Sequence, residues 1–347
     1  MSKNSITKKP FLWSFHYFRA FAILNIIFIH TWRFPPKTEY TGSSSFVDAT
    51  RDMLFHGSTI YFLFISGFLF HYLSTKFNIR GYYVSKIKNV VAPYVFISIF
   101  LIFAEDFTGA RANLPWSEYF FKIPRQLING TASFQFWYIP FIILVFAISP
   151  LFLRLKERDF VRLAPWIFVL PILGTRTQVY ITLGQFMYFL PVYLWGIYVS
   201  MRYAQVMETV KRYKLPLLLT AVATSVILLF VNHEYQYLGI FSPRESLVYL
   251  QKMSITFLIL YISRNIQNNK YWILDIIAKI SFALYFLHVI FDRHLKKIYF
   301  VVADFTPQAL QVPVSIVYVL FLLTVNTLFC LLVKKILGNR SRYFIGY

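Results

Sequence analysis

Residues 15–32, FHYFRAFAILNIIFIHTW, form an almost unbroken apolar and aromatic run, interrupted by His16, Arg19, Asn25 and His30. The run is about as long as the ~20 residues that carry a helix across a bilayer core. It is too long, and too polar at Arg19, for the hydrophobic region of a cleaved signal, so it reads as a retained span over about residues 11–32. Similar runs recur to the end of the 347-residue chain, at about 57–74, 90–104, 135–153, 161–175, 180–201, 215–231, 246–263, 272–291 and 314–333. The fifth of these ten spans carries Pro165 and Pro171 and is expected to kink or to re-enter.

Composition agrees with a chain immersed in lipid. Hydrophobic residues make up 58%, aromatic residues 20% and charged residues only 14%, against the roughly 25% charge that covers a soluble domain. The net charge of +21 would suit nucleic acid if it lay on one polar face, but here the lysines and arginines sit in short clusters between apolar runs. Residues 75–89, 154–162 and 202–214, Arg264 with Lys270, the N-terminal Lys3, Lys8 and Lys9, and the tail with Lys334, Lys335, Arg340 and Arg342 are strongly basic. The alternate loops mix signs, apart from the last, where Arg293, Lys296 and Lys297 outnumber Asp292 and Asp304. The bias of Lys and Arg toward cytoplasmic loops then puts both termini inside. The expectation is all-α: a single polytopic transmembrane bundle of about ten helices over residues 1–347. Short basic cytoplasmic tails occupy about 1–10 and 334–347. Residues 105–134 have room for an interfacial helix. The one cysteine, Cys330, excludes an intrachain disulfide and a multi-cysteine metal site.

Ionisable side chains inside a span are costly, which makes each one a functional hypothesis. Arg19 and His30 are eleven residues apart, about 20° from eclipse on a helix and roughly 16 Å apart along it. They share one face at two depths, with His16 on the same stripe. A guanidinium at one depth can hold phosphate or carboxylate, and an imidazole further along can exchange protons. The plainer reading has Arg19 snorkelling to the headgroups and His30 joining an interhelical hydrogen bond. Ser281, Tyr285, His288 and Asp292 form a second polar stripe on the ninth span, with Asp292 able to orient His288 or the whole stripe serving as a packing seam. Gln135, Trp137 and Tyr138 open the fourth span as an aromatic belt or as a stacking surface for a sugar. Lys252 reads first as a snorkelling side chain and second as an anion attractor, and Ser66-Gly67 as close helix packing. No P-loop, GxSxG elbow, HExxH or DxD-like acidic pair is present.

Five of these elements, in this order, resemble the acyltransferase-3 family of bacterial membrane enzymes. They are Arg19, ten residues and His30; the SGF of Ser66, Gly67 and Phe68; the basic stretch KIKNVVAPY; FWYIPFI; and ALYFLH ending at His288. The chain departs from the family where two arginines three apart often precede the third span. Here those positions are Lys86 and Asn89, with Lys88 between, and lysine meets a phosphate as a point charge rather than a fork. The resemblance implies a multi-pass enzyme of the bacterial cytoplasmic membrane. It would move an acetyl or similar acyl group from cytoplasmic acyl-CoA, most simply acetyl-CoA, to a hydroxyl of a surface or exported polysaccharide. Its partners would be acyl-CoA, a carbohydrate acceptor and membrane lipids, with neither nucleic acid nor metal. Arg19, Lys86 and Lys88 would draw in the donor's phosphates. His30 would act as general base, or in a covalent variant as an acyl-accepting nucleophile. Ser281, Tyr285, His288 and Trp137 are candidates for the acceptor or oxyanion site. The competing reading is a polysaccharide or lipid-linked sugar transporter or flippase, which would be built of related halves; residues 1–170 and 171–347 show no such symmetry.

Overall fold

The computed structural model describes residues 10–33, 43–107, 116–176, 180–230, 241–266, 268, 270–307 and 310–347. Lys3, Lys8 and Lys9 lie outside the described residues. The described chain is helical, without a β-strand. Its helices are α1 Trp13–Thr31, α2 Ser43–Phe55, α3 Thr59–Tyr72, α4 Ile79–Lys86, α5 Ala92–Phe107, α6 Trp116–Asn129 and α7 Tyr138–Ile148. They continue as α8 Glu157–Leu173, α9 Leu183–Met201, α10 Tyr203–Phe230, α11 Pro243–Ser263, α12 Trp272–Asp304, α13 Gln311–Leu337 and the short α14 Ser341–Phe344.

Among the described residues, seven helical stretches are long and apolar enough to cross a membrane. They are Asp48–Tyr72, Ile79–Ala104, Phe134–Arg154, Tyr203–Phe230, Pro243–Ser263, Trp272–Asp304 and Gln311–Phe344. The remaining three of the ten expected spans fall on α1, α8 and α9, which are helical but outside that set. α1 is diluted by His16, Arg19, Asn25 and His30. α8 has 17 residues and a charged first turn, and α9 is rich in tyrosine and tryptophan.

Several boundaries move outward from their expected places. The segment ahead of the second span is already helical from Ser43 and turns into α3 at Gly57, whose φ of 74° suits glycine. α12 runs on to Asp304, so the basic cluster Arg293, Lys296 and Lys297 lies on a helical extension instead of a loop. α10 starts at Tyr203 and kinks at Tyr213, where φ and ψ are −104° and 19°. Pro216, three residues on, cannot donate to the preceding turn. Between α4 and α5, residues 87–91 form a π-turn. Pro93 cannot donate to the Asn89 carbonyl, and the Ala92 N–H reaches back to Ile87. α6 is the helix expected within 105–134, with Phe120, Phe121 and Ile128 exposed along it.

The tightest packing in the bundle is α3 against α9. A Cβ on Gly67 would stand 2.0 Å from the Tyr193 carbonyl oxygen, and one on Gly196 would stand 2.2 Å from the Phe64 carbonyl oxygen. Each glycine admits the other helix's backbone, the device by which membrane helices gain contact without a hydrophobic drive between them. Gly67 is therefore a packing element, as its sequence suggests, while Ser66 beside it lines a cavity. Gly67→Val and Gly196→Val are each expected to part the two helices, costing about 1–3 kcal/mol or more. The loss would appear as a smaller monodisperse fraction after detergent extraction, with Gly81→Ala as control because a Cβ there meets only ordinary contacts, 3.7 Å or more from the Asn78 side chain.

Candidate functional site

α1 lies along α12, and the polar faces of the two helices meet. At one end His16 Nε2 stands 2.9 Å from Asp275 Oδ1, and Lys279 donates to the other carboxylate oxygen at 2.6 Å. Three residues along α1, Arg19 Nη2 donates to the Ala278 carbonyl at 2.6 Å, while its buried Nε has no partner. At the other end of α1, Arg33 Nη2 donates to the His30 carbonyl at 2.9 Å and closes the helix C-terminus. Arg33 also pairs with Asp292, whose second oxygen accepts from Tyr318 at 2.9 Å.

Two cavities open along this face. One, of about 500 Å³, is lined by His30 together with Asp52, His56, Gln135, Trp137, Arg176 and Glu245. The other, of about 490 Å³, is lined by Arg19 together with Lys86, Lys279, Arg342, Ser66, Asn89 and Ser281. Tyr138 and Tyr285 belong to both walls. Their rings meet edge to face at 6.1 Å, and the Tyr285 hydroxyl donates to the Gln135 carbonyl. The arginine and histidine of α1 thus each face a separate cavity, with a pair of tyrosines between.

The Arg19 cavity carries four cations, and no Asp or Glu side chain lines it among the described residues. Lys279 is tied to Asp275. The Lys86 ammonium sits 3.8 Å from the centre of the Phe146 ring, and Arg342 Nε donates to the Asn339 carbonyl at 3.1 Å. Such a set fits a polyanion, because ammonium and guanidinium groups with spare donors bind phosphate oxygens strongly. Lys88 is exposed and does not line this cavity.

The His30 cavity is mixed in sign. His56 Nε2 stands 2.9 Å from Glu245 Oε1 and 2.9 Å from Arg176 Nη2, and Glu245 Oε2 is buried without a partner. Arg244 pairs with Asp52 at 3.4 Å. The Trp137 indole is stacked on Phe189 at 5.6 Å with the Arg176 guanidinium 5.8 Å from its centre, so both groups already flank the surface read as a sugar platform. The ring nitrogens of His30 make no hydrogen bond to another described residue. The ring touches Phe134 edge-on at 4.9 Å and stacks on His288 at 5.5 Å.

The second polar stripe is divided among several tasks. His288 is fully buried, and its Nδ1 hydrogen-bonds the Leu284 carbonyl at 2.9 Å, which fixes the proton on Nδ1. Asp292 does not orient His288, contrary to the sequence reading, because both its oxygens serve Arg33 and Tyr318. Ser281 lines the Arg19 cavity. Lys252 does not snorkel: it is fully buried and donates to the Leu54 carbonyl at 2.7 Å, where the C-terminal end of α2 offers unpaired carbonyls. Sequence reasoning missed His56, Glu245, Asp52 and Arg176 around His30, and Lys279 and Arg342 around Arg19. The available sign was isolated charge of both kinds at span ends, as in Arg176 and Glu245, where a lipid-facing loop needs none. Among the described residues no three His, Cys, Asp or Glu side chains cluster as a metal site.

Comparison with known proteins bears on the whole of this arrangement. The family profile described as an acyltransferase domain matches residues 12–335, which include both polar stripes, the lining of the His30 cavity, and that of the Arg19 cavity apart from Arg342, Gly346 and Tyr347. Searches of curated proteins and of solved structures returned no match. Several membrane-spanning helices and a match over nearly the full length leave one assignment: this multi-pass membrane protein belongs to the acyltransferase-3 family.

Proposed function

We propose that the protein is an O-acyltransferase. It would take an acetyl or similar acyl group from cytoplasmic acyl-CoA and pass it to a hydroxyl of a surface or exported polysaccharide in a bacterial cytoplasmic membrane. The observation that carries this reading is the division of α1, with Arg19 on a cationic cavity, His30 on a mixed polar one, and a shared wall of Tyr138 and Tyr285. The Lys and Arg bias of the tail supports a cytoplasmic position for Arg342, and with it the Arg19 cavity would be the donor side. Arg19, Lys86, Lys279 and Arg342 would hold the phosphates, and Lys88 would add only to the attracting field. The reach between Arg19 and His30 is about 16 Å of helix, a length that the pantetheine arm of a coenzyme A thioester spans. The acyl end would then pass along the wall that the two tyrosines share.

On the His30 side the acceptor hydroxyl meets a base with both ring nitrogens uncommitted. His30 takes the hydroxyl proton as the oxygen attacks the thioester carbonyl carbon. When the tetrahedral adduct collapses, the C–S bond breaks and the thiolate leaves with the proton from the imidazolium. The net change is one ester and one free thiol. Direct transfer needs no covalent enzyme species.

Proteoliposomes given labelled acetyl-CoA and the surface glycan test this reading: label bound covalently to glycan supports an enzyme, and unmodified glycan crossing the bilayer refutes it. The donor assignment makes a finer prediction. Lys86→Ala and Arg342→Ala are each expected to raise the KM for acetyl-CoA about 10-fold or more, the loss of one hydrogen bond to a charged group, with kcat little changed. Lys88→Ala is expected to stay within about twofold of wild type, in line with surface charges contributing little.

A further inference from the structure

We infer that the side-chain amide of Gln135 is the group that holds the oxyanion formed during transfer. The inference rests on the acyl-transfer reading of the His30 cavity and names a catalytic residue that reading leaves open.

The tetrahedral adduct carries a full negative charge on the former carbonyl oxygen. Donors pre-aimed at that oxygen stabilise it. Three donors suggested by the sequence are committed elsewhere. Tyr285 gives its hydroxyl proton to the Gln135 carbonyl. His288 gives its Nδ1 proton to the Leu284 carbonyl, leaving Nε2 of the neutral ring as an acceptor. Ser281 lines the other cavity.

Gln135 is different. It is 2% exposed, lies in the tight turn Phe134–Trp137 that leads into α7, and lines the His30 cavity. Ser133 Oγ donates to its Oε1 at 2.6 Å, which fixes which end of the amide points where. Its backbone carbonyl is held by Tyr285. The remaining end, Nε2, is buried with two unused protons and no partner. A buried donor left unpaired is costly and rare unless something binds it. The preceding residue, Phe134, is in edge contact with the His30 ring, so the turn that carries the amide is fixed against the base itself.

The step balances simply. The carbonyl π pair moves onto oxygen as the acceptor oxygen bonds to carbon and its proton goes to His30. Gln135 Nε2–H then donates to that oxygen without giving up its proton. Collapse returns the pair to the C=O bond and expels the thiolate. The amide is unchanged.

The test is Gln135→Glu and Gln135→Met in cells carrying the full chain, with base-labile acetate on the surface glycan measured at matched membrane level. Purified protein in liposomes gives the KM for acetyl-CoA. Both variants are expected to lower the transfer rate about 10²–10³-fold with the donor KM unchanged. Glu keeps the acceptor for Ser133 and Met keeps the bulk, so a fold defect would separate the two in detergent melting. Rates within about twofold of wild type in either variant, or a loss confined to KM, would overturn the assignment. His30→Ala run alongside separates the two ideas: full activity there removes the base reading, whereas full activity in the Gln135 variants alone removes only this one.

Discussion

His30→Ala is expected to remove surface glycan acylation, lowering the rate about 10²–10⁴-fold, the range that a positioned general base contributes. The reason lies in the isolation of the ring. Other histidines at the site are engaged: His16 with Asp275, His56 with Glu245 and Arg176, and His288 with a backbone carbonyl. His30 alone of these four faces its cavity with neither nitrogen bonded to another described residue. Its rotamer is kept by packing, with Phe134 on one side and His288 on another, so alanine would leave a gap beside these rings while α1 keeps its polar anchors at Arg19 and Arg33. The variant should therefore accumulate normally and fail in chemistry. His30→Gln, close in size and able to hydrogen-bond, is expected to fail as badly, because an amide does not accept a proton near neutral pH. Base-labile acetate at equal membrane level is the measurement. Acylation at half the wild-type level or above in either variant would refute the role.

The pairing of Arg19 with His30 was legible in sequence because helical periodicity is local: eleven residues return nearly to the same face whatever surrounds them. The cavities were not, because each is closed by residues from distant segments. Arg342 arrives from the C-terminal turn beyond α13, and Lys279 from a helix whose first turn looks like an ordinary membrane entrance. Glu245 and Arg176 come from segments that charge counting assigns to loops, where a mixed pair reads as solvated surface. Lys252 shows the same limit in reverse. Six residues into a span, a lysine usually reaches for the headgroups, yet here the end of α2 folds over it and supplies a carbonyl. Of the ten expected spans, seven are long and apolar enough to cross a membrane among the described residues, and the other three fall on helices. Hydropathy sees composition, whereas α1, α8 and α9 are helices whose polar, short or aromatic content is matched by tertiary partners.

Glu245→Leu is expected to cost about 3–5 kcal/mol and to deplete the folded protein in the membrane, the penalty for leaving a buried countercharge unmatched. Glu245 is the anionic centre of its cluster. It touches His56 at 2.9 Å and Arg176 Nε at 3.8 Å, and its backbone N–H is capped by Ser242 at the start of α11. The Arg176 side chain is 8% exposed, too enclosed to find water when the carboxylate goes. If charge burial is the cause, Arg176→Leu in the same chain should restore most of the stability, since an apolar replacement of both partners avoids the desolvation that one replacement exposes. A double-mutant cycle on detergent melting measures that coupling. The restored double variant also isolates a chemical role. Glu245 Oε2 is an unpaired buried acceptor on the His30 cavity, suited to a hydroxyl of the incoming acceptor. Protein that is folded again but lacks this oxygen should show a raised KM for the glycan with the donor KM unchanged. A double variant no more stable than Glu245→Leu alone would show that the carboxylate is held for something other than Arg176.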